Sequence, residues 1–491
     1  MRRGFARACS GLLSPLRKGW TLGIGGYGAA ALGLASLVPA PGALAASPIG
    51  PEFQVDTYTT NQQVGARVAT DTNGNFVVVW QSYGSPSTDH SGTSIQAQRY
   101  DETGAPLGAQ FQVNTYTTGN QWFPAVASDS SGRFVVVWGS QGSAGTDTDG
   151  WSVQGQRFAS NGAPLGAQFQ VNTYTTSTQY DPFVASDATG RFVVVWEGDG
   201  SAGSDTSYSS IHGQRYDSSG TPVGSEFQVN TYTTSYQRFP SVASDPAGDF
   251  VVVWQSYGSS GDTDDFSVQG QRYSSSGGAL GGQFQVNGYT TGYQGLPSVA
   301  SDALGNFVVV WESFGSAGTD TDRKSIQGQR YAANGAQIGG QFQVDSYTTS
   351  IQAGASVATD AAGDFVVVWN SYGSAGSDTS DYSVQGQIYL GDGAPVGGQF
   401  QVNTYTTSVQ GGPYVAMKPD GRSFVAVWSG NGSSGTDTSL RSIHGQRYLP
   451  EPCSALGIAA VLPSLFALAR RRASRRAGSP ASPDLDTPER G

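Results

Sequence analysis

"QFQVNTYTTGNQWFPAVASDSSGRFVVVWGSQGSAGTDTDGWSVQGQRFASNGAPLGA", residues Gln110–Ala167, is one unit of a pattern that fills the middle of this chain. Its opening "QFQV", or "EFQV", recurs at Glu52, Gln110, Gln168, Glu226, Gln283, Gln341 and Gln399. The spacings are 58, 58, 58, 57, 58 and 58 residues. So regular a period marks an array in which each unit is one supersecondary element, unable to bury its apolar faces alone.

Four strands are expected in the unit: "FQVNTY" (Phe111–Tyr116), "PAVASD" (Pro124–Asp129), "RFVVVW" (Arg133–Trp138) and "SVQGQRF" (Ser152–Phe158). In "FVVVW", Phe134, Val136 and Trp138 point one way and Val135 and Val137 the other, so both faces are apolar. Such a strand belongs to a sheet sandwiched between layers. "DSSG" (Asp129–Gly132) fits a tight turn, with Asp bonding the backbone and Gly supplying a positive φ, and "NGAPLG" (Asn161–Gly166) is a second turn.

Four short strands in each of seven units, in sheets covered on both faces, predict an all-β fold: a seven-bladed β-propeller with four-stranded blades. A β-solenoid usually has shorter coils and few tight hairpins, and 58 residues are too few for separate stable sandwiches. From the axis outward the strands are A ("VASD"), B ("FVVVW"), C ("QGQRY") and D ("QFQVN"). The array starts with a D strand at Phe53–Tyr58 and ends with a C strand at Ile443–Tyr448. The N-terminal strand is therefore expected to complete the last blade and remove an open sheet edge.

Composition narrows the partners. Between residues 46 and 450 stand 15 Lys and Arg against 33 Asp and Glu, a net charge of −18. A body that acidic repels phosphate backbones, which argues against nucleic acid. The two cysteines, Cys9 and Cys453, lie outside the repeats, so the body has no disulfide framework and no Cys-based zinc site.

Residues 1–45 read as an export signal: basic residues up to Lys18, an apolar segment from about Thr21 to Val38, and "ALA" at Ala43–Ala45 as a cleavage site. The repeats occupy residues 46–449. After them "PEPCSALGIAAVLPSLFALARRRASRR" combines Pro450-Glu451-Pro452, an apolar run from Cys453 to Ala469, and an arginine cluster that includes Arg470, Arg471 and Arg472. In this order the three parts resemble the PEP-CTERM sorting signal of Gram-negative bacteria. The resemblance covers residues 450–476; Pro463 interrupts the apolar run, and a disordered tail is expected at 477–491. It implies an exosortase-type sorting enzyme as partner, with membrane contact only through the terminal segments. The implied destination is the cell envelope, the outer surface or the extracellular matrix.

Function is expected on the rim that carries the D–A and B–C loops, because the A–B and C–D turns are short and uniform. Each D–A loop keeps a Gln, from Gln63 to Gln410, suited to a structural hydrogen bond. Around it vary Trp122, Phe123, Tyr180, Tyr236, Arg238, Tyr293 and Tyr414, candidate ligand-binding residues that could stack on sugars. The B–C loops bring Asp-x-Asp pairs, Asp147/Asp149, Asp262/Asp264 and Asp320/Asp322, a spacing suited to Ca²⁺ although the full calcium-loop pattern is absent. His212 and His444 replace a Gln of strand C, a slot that suits a packed residue, and the Arg of "GQRY" recurs in six of seven units, Ile388 being the exception. "SDxxGxF" is similar to the Asp-box of sialidase propellers but has one residue too many between Asp and Gly. Glu197 and Glu312, just after "FVVVW", are the carboxylates available for acid–base work. The expected function is binding or scaffolding of polysaccharide or a surface protein, with a carbohydrate-active hydrolase or lyase as the alternative.

Overall fold

The computed structural model describes residues 46–450, apart from residues 85–87, 144, 201–202, 206, 260, 316–317, 321–322, 374–375, 379–380 and 433–439 of the B–C loops. The export segment, Asp322, and Glu451, Pro452, Arg470, Arg471 and Arg472 of the sorting tail lie outside the described residues. Among the described residues no helix is long and apolar enough to cross a membrane.

Seven antiparallel four-stranded sheets form the blades of a β-propeller. In blade 2 strands A to D are Gln121–Ser128, Phe134–Gln141, Trp151–Phe158 and Phe169–Gln170. The A strands neighbour one another around the axis, and the A strand of blade 1 touches those of blades 2 and 7. Each "FVVVW" strand is buried along both faces, and its Trp (Trp80 to Trp428) is fully buried. Successive residues serve two joints: Val135 and Val137 pack toward blade 3, while Phe134, Val136 and Trp138 pack toward blade 1.

Strand D ends earlier than expected, at the Gln of "FQV", because Asn114 leaves the ladder, although in blades 3, 5, 6 and 7 it begins earlier, at Pro222, Gln337, Pro395 and Ala46. Asn114 Oδ1 accepts the amide of Ile95 at 2.8 Å, so a side chain takes over where backbone pairing would continue. The first residue of "QFQV" bridges two blades. Gln168 donates to Gln154 Oε1 of its own blade at 3.1 Å and accepts the Thr115 amide of the preceding blade's D–A segment at 2.8 Å. Where that residue is Glu, strand C carries His. His212 Nδ1 lies 3.3 Å from Glu226, and His444 Nδ1 lies 3.2 Å from Glu52. The Nε2 atoms sit 2.7 Å from Ser210 and Ser442 hydroxyls, so both imidazoles are packed, paired side chains.

The turn rim is locked by two repeated devices. Asp129 Oδ1 accepts the amides of Ser131 and Arg133, and Gly132, at φ 80°, leaves room for the neighbouring blade's Asp71. A Cβ at Gly132 would stand 2.9 Å from Asp71 Oδ2. "SDxxG" is therefore a turn and a joint at once. The second device is the Arg of "GQRY", which reaches the C–D turn of the next blade: Arg99 donates to Asn161 O, Arg215 to Ser275 O at 3.1 Å, and Arg330 to Gly391 O at 2.8 Å. It clasps carbonyls, and among the described residues it forms no ion pair there.

The exception at Ile388 follows from how the ring closes. The N-terminal strand Ala46–Gln54 pairs with Arg441–Pro450, strand C of blade 7, as expected. Blade 7 therefore has no C–D turn for an Arg of blade 6 to clasp. Ile388 instead joins buried Ala46, Met417 and Tyr448 in the apolar cluster of that joint. Arg447 of blade 7 has a turn to clasp, and it donates to Thr103 O and Glu102 O of blade 1. Strand C of blade 7 runs to Pro450, the first residue of the sorting stretch, which pairs with Ala46.

Candidate functional site

The loop rim is built on a repeated frame. Gln121 Oε1 accepts the indole N–H of Trp138 at 3.0 Å. The same bond recurs at Trp196, Trp254, Trp311, Trp369 and Trp428. The recurring Gln thus fixes the start of strand A and is not presented to a ligand. Two residues further on, every A strand bulges through a positive φ: Gly65 (69°), Phe123 (54°), Asp181 (49°), Phe239 (51°), Leu296 (50°), Gly354 (63°) and Gly412 (65°). Glycine is at ease there, while each of the four side chains costs about 1 kcal/mol or more in strain.

Glu197 and Glu312 occupy a slot that holds these bulges. Gln255 accepts the amide of Leu296 at 3.1 Å, Glu312 that of Gly354 at 2.7 Å, and Asn370 that of Gly412 at 3.0 Å. Glu197 stands 3.4 Å from the Phe239 amide and accepts the Tyr180 hydroxyl at 2.6 Å. Arg238 lies 3.2 Å from it, and Lys324 lies 2.6 Å from Glu312. The two glutamates serve different joints with blade 4 between them, and each is buried and fully engaged. Burial pushes the Glu197 carboxyl up to about 7, the charge of Asp181 adding to it while the Tyr180 bond and Arg238 oppose it. The carboxylate that acts on Glu197 is thus Asp181, which sequence reasoning passed over.

The Asp-x-Asp pairs divide their work rather than converging. Asp147 turns inward, accepting Asn172 Nδ2 at 2.6 Å and the Asp149 amide at 3.2 Å, while Asp149 reaches outward to the Ser177 amide at 3.2 Å. Asp262 and Asp264 repeat this with Asn287 and Gly292. Asp320 is buried in blade 5, where Asp345 replaces the Asn. Asp345 Oδ1 accepts the Ile326 amide at 2.6 Å. Burial raises its pKa against the Ile326 amide bond, and the charge of Asp320 and a side-chain bond to it push the same way as burial. Among the described residues no three His, Cys, Asp or Glu side chains are grouped to hold a metal ion.

The aromatic candidates do gather on this rim, in company that the sequence reading missed. Trp122 stacks on Trp151 with centroids 4.7 Å apart, and Phe123 meets Trp122 edge-on at 6.0 Å. Tyr236 lies 4.6 Å from Tyr208 and under the Arg238 guanidinium at 4.3 Å. Tyr293 abuts Phe266, which abuts Tyr257, and Tyr372 abuts Tyr382. Tyr208 is 61% exposed, Phe314 53% and Phe123 45%. The added residues come from the arms of the B–C hairpins. Their signal was the aromatic three residues after the buried Trp (Tyr83, Tyr257, Phe314, Tyr372), which recurs in the repeat. Tyr414 is placed differently: it lies in strand A, against Arg67 at 4.5 Å from the ring centre, so it belongs to the axial channel and not to the exposed rim. Tyr180 is tied to Glu197 and is half-buried.

Fold and frame thus define a closed seven-bladed propeller with an aromatic loop rim. No family model and no curated protein matches the chain. Among solved structures it is similar to a protein of unknown function from Dyadobacter fermentans, at 9% identity and a TM-score of 0.47, covering 83% of this chain and 100% of that one. It is also similar to an α-L-arabinofuranosidase from Fusarium graminearum, at 11% identity and 0.44, covering 82% and 98%. An α-L-arabinanase from Penicillium chrysogenum follows at 12% and 0.41, again covering 82% and 98%. Likeness at this level carries no argument about ligand or chemistry.

Proposed function

We propose that this chain is an exported binding propeller whose loop rim takes up polysaccharide. The observation that carries the reading is the set of partly exposed aromatic clusters on one rim, opposite a rim occupied by repeated structural contacts. Flat aromatic faces suit the apolar faces of sugar rings, and their distribution over several blades suits an extended polymer. A net charge of −18 over residues 46–450 favours a neutral glycan over an anionic one. Glu197 and Glu312 are spent on the frame, which favours binding over hydrolysis. Export and exosortase-type sorting to the envelope or matrix fit a ring whose four-stranded blades are all complete between Ala46 and Pro450. Removal of both terminal segments would leave every strand in place.

A glycan array probed with and without EDTA tests the reading. Binding to neutral polysaccharide is expected, and each of Tyr208→Ala, Tyr257→Ala and Phe314→Ala should weaken it about two- to tenfold. Absence of glycan binding, with capture of a surface protein instead, would overturn it. Turnover that is lost in Glu197→Gln would support the hydrolase reading. Mass spectrometry of the secreted protein should find an N-terminus at Ala46 and a C-terminus near Pro452; an end at Gly491 would contradict sorting.

A further inference from the structure

The axial channel holds charged groups that neither the frame nor the aromatic rim uses. Arg67 is the fifth residue of strand A in blade 1, a slot that is Ser in blades 4, 5 and 6. Its guanidinium lies 4.5 Å from the ring centre of Tyr414 in blade 7 and 5.8 Å from that of Phe183 in blade 3. A side chain of blade 1 that meets blade 3 must lie across the channel. Its Nη1 donates to Ala66 O at 3.0 Å, while its buried Nε has no hydrogen-bond partner.

Asp181 is the counterpart. It sits on the bulge of blade 3 at φ 49°, is only 8% exposed, and its carboxyl makes no hydrogen bond or ion pair among the described residues. Burial pushes it up to about 6, against the pull of Arg67 and Arg238. Buried polar groups with unmet bonding capacity cost free energy, and the same slot takes glycine in blades 1, 6 and 7 at no strain. A strained, unpartnered carboxyl beside an incompletely bonded guanidinium therefore stands at odds with a purely structural role.

We propose that Asp181 and Arg67 form an axial subsite for the terminal residue of a neutral glycan chain. Vicinal hydroxyls both donate and accept, so one sugar can meet the carboxyl and the guanidinium together. Phe239, partly exposed on the bulge of the adjoining blade 4, adds an apolar side chain to the same ring of bulges. Arg67 lies across the channel between Tyr414 and Phe183, which stops a chain from threading through and selects its end. This inference rests on glycan binding by the rim, and it adds which part of the polymer is read.

The test uses linear neutral oligosaccharides and the same chains with the hydroxyls of either terminal residue methylated. Wild-type protein should bind one blocked form about tenfold or more weakly than the free chain. Asp181→Gly and Arg67→Ser borrow residues that other blades hold in the same slots, so the fold is expected to persist, with melting temperature as the check. Both should bind free and blocked chains alike, at the wild-type affinity for the blocked one, whereas Phe314→Ala should weaken the two forms equally. Equal wild-type binding to free and blocked chains, or discrimination that survives in Asp181→Gly, would overturn the axial subsite and leave the rim reading intact. No binding of any chain would remove both.

Discussion

The two rims of the ring are made from the same repeat and spend it differently. On the turn rim one solution is copied from joint to joint: Asp129 with Gly190, Asp187 with Gly248, and an Arg from each blade that has a following turn to clasp. On the loop rim the frame is copied, from the Gln–Trp bond to the bulge, but the residues standing on it change from blade to blade. A side chain shared by all joints cannot distinguish a ligand's orientation, whereas a set that differs by blade can. The repeated contacts and the variable residues are thus separated by rim, so the proposed glycan recognition should be separable from stability by mutation.

The largest effect is expected at the closing strand. A protein starting at Asn61 loses the strand Ala46–Gln54 together with half-buried Phe53 and buried Val55. It should lose about 4 kcal/mol or more, since each large apolar side chain contributes roughly 1.5–3 kcal/mol and a sheet edge is laid open. Urea unfolding against the protein starting at Ala46 measures this, and equal midpoints would break the closure account.

Next comes the seam. Ile388→Arg puts a cation where no turn carbonyl waits, and a loss of about 3 kcal/mol is expected. Arg447→Ile, which removes a clasp from blade 1, should cost about 1–2 kcal/mol. If Ile388→Arg is neutral, the missing turn is not why that Arg is absent.

A smaller effect of opposite sign is expected at the root of a B–C loop. Asp345→Asn restores the Asn seen in blades 1 to 4 and 6, and should stabilise the protein by about 1–2 kcal/mol at pH 8. The sign follows from Asp345 being raised in the folded state. Its contribution is complete below the unfolded carboxylate range, near pH 4, and is lost as pH rises through the folded value. Thermal melts should therefore converge near pH 4 and separate toward pH 8; a separation that grows on acidification would contradict a raised Asp345.

The period, the strand order and the closing strand were legible because "FVVVW" (six times, with "FVAVW" at Phe424–Trp428) and "QFQV" (five times, with "EFQV" twice) recur at a regular spacing through seven units. The exception at Ile388 was visible, but its reason required knowing which turn each Arg reaches. Local spacing misled at the Asp-x-Asp pairs, since the partner of Asp147 is Asn172, in the following D segment. The bulge that carries Asp181 has glycine in three blades, a signal present in the sequence yet readable only once the repeats are aligned to strand A. Tyr414 was taken for a loop residue although it aligns with Ala125 of the expected strand A, so aligning the repeats would have placed it in the strand.

The most direct measurement titrates one neutral polysaccharide into two variants, Tyr257→Ala/Phe314→Ala on the loop rim and Arg447→Ile on the turn rim, with melting temperature recorded for each. The account predicts that the loop-rim variant keeps its melting temperature and binds at least about tenfold more weakly, while the turn-rim variant melts earlier and binds as wild type does. Unchanged affinity in the loop-rim variant, with binding lost in Arg447→Ile at a temperature where it is folded, would place recognition on the wrong side of the ring and contradict it.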